Sequence, residues 1–156
     1  MSKMGYMDGG DNKKVVDALQ KVMADTFVLY FKTHTFHWNV EGPNFKALHD
    51  LFDVQYNELW MVLDVIAERL RALDAYAPVS VKTLMGSASM QEVGQLPDAM
   101  EMLKQLANDN SQIVKDSLYP ALTAAQEAGD EATADLMIQR IDVHEKAAWM
   151  LRSMAK

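Results

Sequence analysis

Apolar side chains recur at helical spacing through most of the chain. Between residues 11 and 39, Val15, Leu19, Val22, Met23, Phe27 and Tyr30 mark one long helix. The stretch Glu41-Gly42-Pro43-Asn44 interrupts it; Gly and Pro stop the first helix, and Pro suits the first turn of the next. A second helix is predicted from about residue 44 to about 74, with no internal Gly or Pro. Residues 75–95 lose the long periodicity and read as a connector, with one short helix near Val81–Met85. A third helix covers about 96–126, beginning near Pro97, with a kink expected at Tyr119-Pro120. Gly129 then suits a C-terminal cap and Asp130 an N-cap. A fourth helix fills about 131–154. No strand pattern, low-complexity tract or internal repeat appears.

Four long helices, with short links at 1–2 and 3–4 and a long link at 2–3, predict an all-α, up-down-down-up bundle. One long crossover is the ferritin-like arrangement, although a generic four-helix bundle fits the same pattern. The expected organisation is a flexible tail over 1–10 and one bundle domain over 11–156.

Composition narrows the function classes. At 156 residues the chain can bury a real core as one domain. Its 49% hydrophobic and 24% charged content is that of a soluble globular protein. No apolar run approaches the roughly 20 residues that cross a bilayer, and the N-terminus has no secretory h-region. The absence of cysteine removes disulfides, thiolate metal sites and thiol catalysis, in keeping with a cytoplasmic protein. A net charge of −7 disfavours a nucleic-acid-binding body, which needs clustered Lys and Arg, and leaves room for cation attraction. The twelve methionines are expected to fill core space.

The second helix carries the candidate chemistry. With His49 at zero and about 100° per residue, Asp53, Asp64 and Glu68 fall near 40°, 60° and 100°. Tyr56 and Trp60 lie close to that sector. The apolar stripe of Leu48, Leu51, Leu59, Val62, Ile66 and Leu70 centres near −100°. Glu58 and Arg69, near 180°, are expected to point to solvent. His49 with Asp53, and Asp64 with Glu68, are i,i+4 pairs able to converge on an ion. The two pairs are about 16 Å apart along the axis, against metal–ligand bonds near 2 Å, so one straight helix cannot bring both to one ion. Positions 49 and 68 share the midpoint 58.5 with positions 53 and 64. Two antiparallel copies related by a two-fold axis at that midpoint would therefore set His49 and Asp53 of one against Glu68 and Asp64 of the other. His37, brought round by the Gly-Pro turn, completes the set. Imidazole and carboxylate without thiolate suit iron or zinc. Spacing alone leaves a plain solvated face open as the alternative, and the chain has no Glu-x-x-His with which ferritin-like proteins build an intrachain di-iron centre.

The segment HWNVEGPNFKALHDLFDVQYNELWMVLDVIAER, residues 37–69, resembles the signature of the Dps miniferritins. The likeness includes the spacing His37–His49–Asp53–Asp64–Glu68 and extends to AGDEATAD and HEKAAWML. It implies a hollow dodecameric shell with di-iron ferroxidase centres between subunits, where Fe(II) is oxidised, generally by hydrogen peroxide, and stored inside as ferric mineral. Zinc is an alternative occupant. By position, His37, His49 and Asp53 come from one subunit and Asp64 and Glu68 from its two-fold mate, with Asp53 the weaker ligand. Trp38 and Trp60 would lie near that chemistry, and Asp130 and Asp135 resemble carboxylates lining an iron-entry pore. Asp130 also reads as an N-cap.

His34 reads as a packing or exposed histidine and His144 as structural. Two other classes compete with an iron-oxidising enzyme. One is a nucleoid-associated DNA-binding protein, whose basic tail here would be only Lys3, Lys13 and Lys14 against Asp8 and Asp11, so that DNA binding is expected to be weak or absent. The other is a metal-free helical interaction module. No membrane role is expected.

Overall fold

The computed structural model describes residues 5–156. Of the tail expected over 1–10, residues 1–4, with Lys3, lie outside the described residues; Met7 is buried in the core, and the first helix already begins at Gly9. Six α-helices follow in order: α1 (Gly9–Asn39), α2 (Phe45–Ala72), α3 (Val81–Met85), α4 (Ala99–Ile113), α5 (Tyr119–Glu127) and α6 (Glu131–Met154). There is no strand among the described residues. α1 packs on α2, while α6 packs on α4 and α5, and the second pair closes on α1. This is the four-helix bundle with one long crossover, as expected from the pattern.

The helix ends follow local chemistry. Asp98 caps α4 by accepting from the Glu101 amide at 2.8 Å, which moves the start two residues past Pro97. Pro120 has no amide hydrogen for the Asp116 carbonyl, and the turn before it, Val114–Leu118, widens into a π-helix. The freed Asp116 carbonyl accepts from Lys21 Nζ at 3.0 Å. The kink expected at Pro120 is thus a π-turn tied to α1.

The core is a continuous cluster in which Leu19, Leu29, Phe36, Phe52, Ile66, Leu70, Leu106, Ile113, Leu118 and Leu151 are fully buried. Met7, Met90, Met102 and Met137 join it as filler; Met61, in contrast, is exposed on α2. The apolar stripe of α2 is buried as expected, with Leu51 half-buried at its edge.

Glu58 and Arg69 depart from the solvent role assigned to them. Arg69 donates to Asp130 at 2.7 Å, to Thr133 Oγ1 at 2.8 Å and to Tyr6 Oη at 3.2 Å. Glu58 pairs with the buried Arg140. The reason is that the 180° side of α2 faces polar residues of α6, so long side chains there find charge partners before they find water.

Asp25, 1% exposed, ties the crossover to the bundle. Its carboxylate accepts from the Ser89 and Met90 amides at 2.7 and 2.9 Å, from Ser117 Oγ at 2.6 Å and from Lys21 Nζ at 3.0 Å. Burial opposes its ionisation, but these donors together outweigh it and hold the carboxyl below its ordinary range.

His144 is structural, as expected. It is 1% exposed, with Nδ1 2.8 Å from Asn110 Oδ1 and Nε2 3.2 Å from Arg140 Nη2. Burial, reinforced by the Arg140 charge, pushes it from 6.5 down to about 3. The unfolded chain therefore takes up a proton below about pH 6.5 that the folded chain refuses until about pH 3. The contribution is fully present above the higher value and is lost as pH falls between the two. We expect denaturant-measured stability to fall towards acid by up to about 1.4 kcal/mol per pH unit from this group alone. In His144→Gln that share of the slope should vanish; an unchanged slope would contradict the assignment.

Candidate metal centre

The α1–α2 turn brings the first three candidate ligands together. Gly42, at φ +115°, supplies the conformation that the reversal needs and that side-chain-bearing residues rarely adopt. Its carbonyl accepts from the Phe45 amide at 3.0 Å, and Val40 anchors the end of α1 in the core. The turn places His37 face to face with His49, ring centroids 3.8 Å apart and planes within 17°.

The two imidazoles fix each other through the backbone. His37 Nδ1 lies 2.8 Å from the His49 carbonyl oxygen, and His49 Nδ1 lies 2.8 Å from the His37 carbonyl oxygen. A carbonyl only accepts, so each Nδ1 carries the hydrogen and donates. Each neutral ring then keeps its lone pair on Nε2. A second nitrogen held in this way sets ring orientation and tautomer for metal binding. Asp53, one turn after His49, places Oδ1 4.0 Å from His37 Nε2. Both rings are half-buried and Asp53 is nearly half exposed, so the donor set opens outward.

Asp64 and Glu68 lie farther along α2 and are exposed. Among the described residues neither has a hydrogen-bond or ion-pair partner. Also among the described residues, no three His, Asp or Glu side chains gather closely enough to hold a metal within one chain. The structure thus brings His37, His49 and Asp53 to one end of α2 and leaves Asp64 and Glu68 apart. Between the two sets the same helix exposes Trp60 and Met61, at 55% and 69%.

An aromatic cluster backs the histidines. His34 stacks on Tyr56 at 3.8 Å and 7°, and Trp38 lies 4.3 Å from His34. Tyr56 stands edge-on to His37 at 5.1 Å, and the Asp53 carboxylate, followed by burial, pushes its phenol up. Phe45 flanks His49 at 5.0 Å. His34 is a packing residue, as expected, and burial pulls it below the ordinary histidine value. Tyr30, read from sequence only as an apolar position, meets Trp60 at 5.2 Å and His34 at hydrogen-bond distance. Its four-residue spacing from His34 was the available signal.

The two acidic residues near the start of α6 differ. Asp130 is fully buried; it caps α6 by accepting from the Thr133 amide at 3.0 Å and pairs with Arg69. Burial opposes its charge, yet the Thr133 and Arg69 hydrogen bonds hold its carboxyl low. Asp135 is exposed and accepts from Gln139 Nε2 at 2.7 Å.

The ferritin-like domain model matches residues 16–156. DNA protection during starvation protein 2 of Bacillus anthracis is 36% identical over 142 residues, 91% of this chain and 97% of that protein. The DNA protection during starvation protein of Brevibacillus brevis is 38% identical over 136 residues, 86% of this chain and 90% of that one. The chain belongs to the Dps family. The crystal structure of a Dps protein from Bacillus brevis superposes with a TM-score of 0.91 at 35% identity, covering 96% of this chain and 100% of that one. A Dps protein from Vibrio cholerae O1, described as a member of a broad superfamily of ferritin-like diiron-carboxylate proteins, superposes with a TM-score of 0.90 at 31% identity, covering 96% and 94%. Family membership accounts for the single long crossover. It also removes the generic bundle as a reading of the fold.

Proposed function

We propose that this Dps-family chain takes Fe(II) as substrate at a centre shared between two subunits, oxidises it with hydrogen peroxide and stores ferric iron inside a dodecameric shell. The observation that carries this reading is the locked His37–His49 pair, whose two Nε2 atoms and nearby Asp53 form an open, thiolate-free donor set. Asp64 and Glu68 of a two-fold mate supply the missing negative charge. Fe(II) then keeps open positions for peroxide, and two irons together deliver the two electrons that turn it into water. Zinc suits the same donors but has no electron to give. Trp38 and Trp60 border the centre and are placed to intercept stray oxidising equivalents. Of the two carboxylates assigned to an entry pore, Asp135 offers the exposed charge, while Asp130 is committed to its cap and to Arg69. Among the described residues no helix is long and apolar enough to cross a membrane.

Anaerobic Fe(II) titration followed by peroxide tests the reading. Stoichiometric Fe(II) binding by an assembled shell, then consumption of one peroxide for two irons, is the expected result. Peroxide consumption independent of bound iron would overturn it.

The competing role is nucleoid binding, as the relatives' names invite. The −7 charge opposes it. Lys13 and Lys14 already face Asp17 and Asp11 at 2.5 and 3.5 Å, so little free positive charge is left. Twelve copies multiply what remains. We expect the shell to retain plasmid DNA in gels only at low salt or with added divalent cation, and to release it at physiological ionic strength. Retention that survives physiological salt would refute this.

A further inference from the structure

Tyr30 lies on α1, two turns before His37, and its hydroxyl meets a base. Tyr30 Oη is 2.9 Å from His34 Nδ1. Neither residue is among the iron ligands. The His34 ring is clamped rather than free, stacked on Tyr56 and flanked by Trp38. Tyr30 in turn contacts Trp60 at 5.2 Å and Tyr56 at 6.4 Å, and Tyr56 stands against His37. Ring contacts therefore run without a break from the ligand His37 through Tyr56 to the Tyr30–His34 pair, and on to Trp60.

A phenol that loses an electron becomes a strong acid, and the oxidation is easy only if its proton has somewhere to go. An imidazole within hydrogen-bond reach provides that place. Tyr30 Oη donates to His34 Nδ1 in the tautomer whose hydrogen sits on Nε2, so the phenol faces a ring nitrogen able to take its proton. Tyr56 faces the Asp53 carboxylate instead, a group that the ferroxidase reading commits to iron. Trp38 and Trp60 are more than half exposed and, among the described residues, have no hydrogen-bonded base.

We propose that Tyr30, with His34 as its proton acceptor, is a one-electron donor to the iron centre, used when a site holds a single Fe(II). This rests on the ferroxidase reading above. Reduction of peroxide needs two electrons; Fe(II) gives one and Tyr30 the other. The O–O bond breaks and two waters form with two protons from solvent. Fe(II) becomes Fe(III), Tyr30 becomes a neutral tyrosyl radical, and its phenolic proton rests on His34. A later Fe(II) returns the electron, and His34 returns the proton. Hydroxyl radical is thereby avoided even at a half-filled centre.

Freeze-quench EPR on the assembled protein tests this. Shells carrying one Fe(II) per centre are mixed with hydrogen peroxide, with wild type compared against Tyr30→Phe and His34→Leu. The wild type should give a tyrosyl signal that narrows with ring-deuterated tyrosine. Tyr30→Phe should lose it and show more oxidised Trp38 and Trp60 by peptide mass spectrometry. His34→Leu should lower its yield. With two Fe(II) per centre, both variants should match the wild type in Fe(II) stoichiometry and peroxide consumption, which separates a redox role from a structural one. A tyrosyl signal undiminished in Tyr30→Phe, or iron-dependent consumption with no tyrosyl signal in the wild type, overturns the inference alone. An undiminished signal in His34→Leu removes the proton acceptor and overturns it as stated. No iron-dependent consumption by the wild type overturns the ferroxidase reading and this inference together.

Discussion

Glu68→Gln and Asp64→Asn should each weaken Fe(II) binding by more than the roughly 10- to 100-fold cost of losing an outer hydrogen-bonding partner of a metal ligand. Each removes a negative charge that offsets the cation as well as a donor atom. Both residues are exposed. Among the described residues they have no partner inside their own chain, so the substitutions leave no broken internal contact and the fold should persist. His37→Ala and His49→Ala should slow peroxide-dependent oxidation as well as weaken binding. Here there is an added effect, because each ring positions the other through the reciprocal carbonyl bonds. Asp53→Ala should spare the first iron but impair capture of the second, and with it the two-electron reduction of peroxide. A double replacement such as His37→Ala with Glu68→Gln should cost little more than the worse single one, because ligands acting as a unit are not additive. The measurement is Fe(II) stoichiometry and oxidation rate, with shell mass checked for each variant. Unchanged stoichiometry and rate in both Glu68→Gln and His49→Ala would mean that the centre lies elsewhere.

Trp60→Glu should convert the shell into folded units that no longer bind Fe(II) tightly. Trp60 is near the midpoint of the four candidate ligands on α2 and is 55% exposed. In a two-fold contact centred there, each copy brings the same residue close to the axis, so a new carboxylate meets its own mate. Like charges brought together at a desolvated contact cost several kcal/mol. The bundle core is on another side of α2, in Leu59, Ile66 and Leu70, and circular dichroism should show the helices retained. A lone chain then offers His37, His49 and Asp53 without the two carboxylates about 16 Å away along the helix. The expected loss of affinity therefore equals or exceeds that of Glu68→Gln. A folded monomer that binds Fe(II) as tightly as the wild-type shell would end the shared-centre model.

Much of this could be read before any coordinates. Gly, Pro and capping residues punctuate the chain so clearly that the four long helices, the short helix Val81–Met85 and the break at Pro120 all stand where the pattern puts them. These are local effects, set by backbone sterics and by the 3.6-residue period. The proposal that ligands are shared between chains also starts from the sequence, since it rests on axial distance and on the symmetric spacing of four residues on one helix. Other features were not. Glu58 and Arg69 look solvent-bound on a helical wheel, yet Arg140, Asp130 and Thr133 reach them from a helix some sixty to eighty residues later. A wheel knows only its own helix. Asp25 likewise reads as an ordinary helical carboxylate until Ser89, Met90 and Ser117 converge on it.

What the sequence by itself determined is the order and extent of the helices, the buried stripe of α2 and the identity of the candidate ligands, because each depends on spacing along one helix. The tertiary structure decided which nitrogen each histidine presents. His37 and His49 are twelve residues apart on different helices, and only the reversal at Gly42 lets each ring donate to the other's carbonyl, leaving both Nε2 atoms free. It likewise set Tyr56 against His34 and His37, and so joined the Tyr30–His34 hydrogen bond to the candidate ligands. A one-dimensional pattern cannot encode those choices, since a tautomer and a ring stack depend on where the atoms of a second helix come to rest.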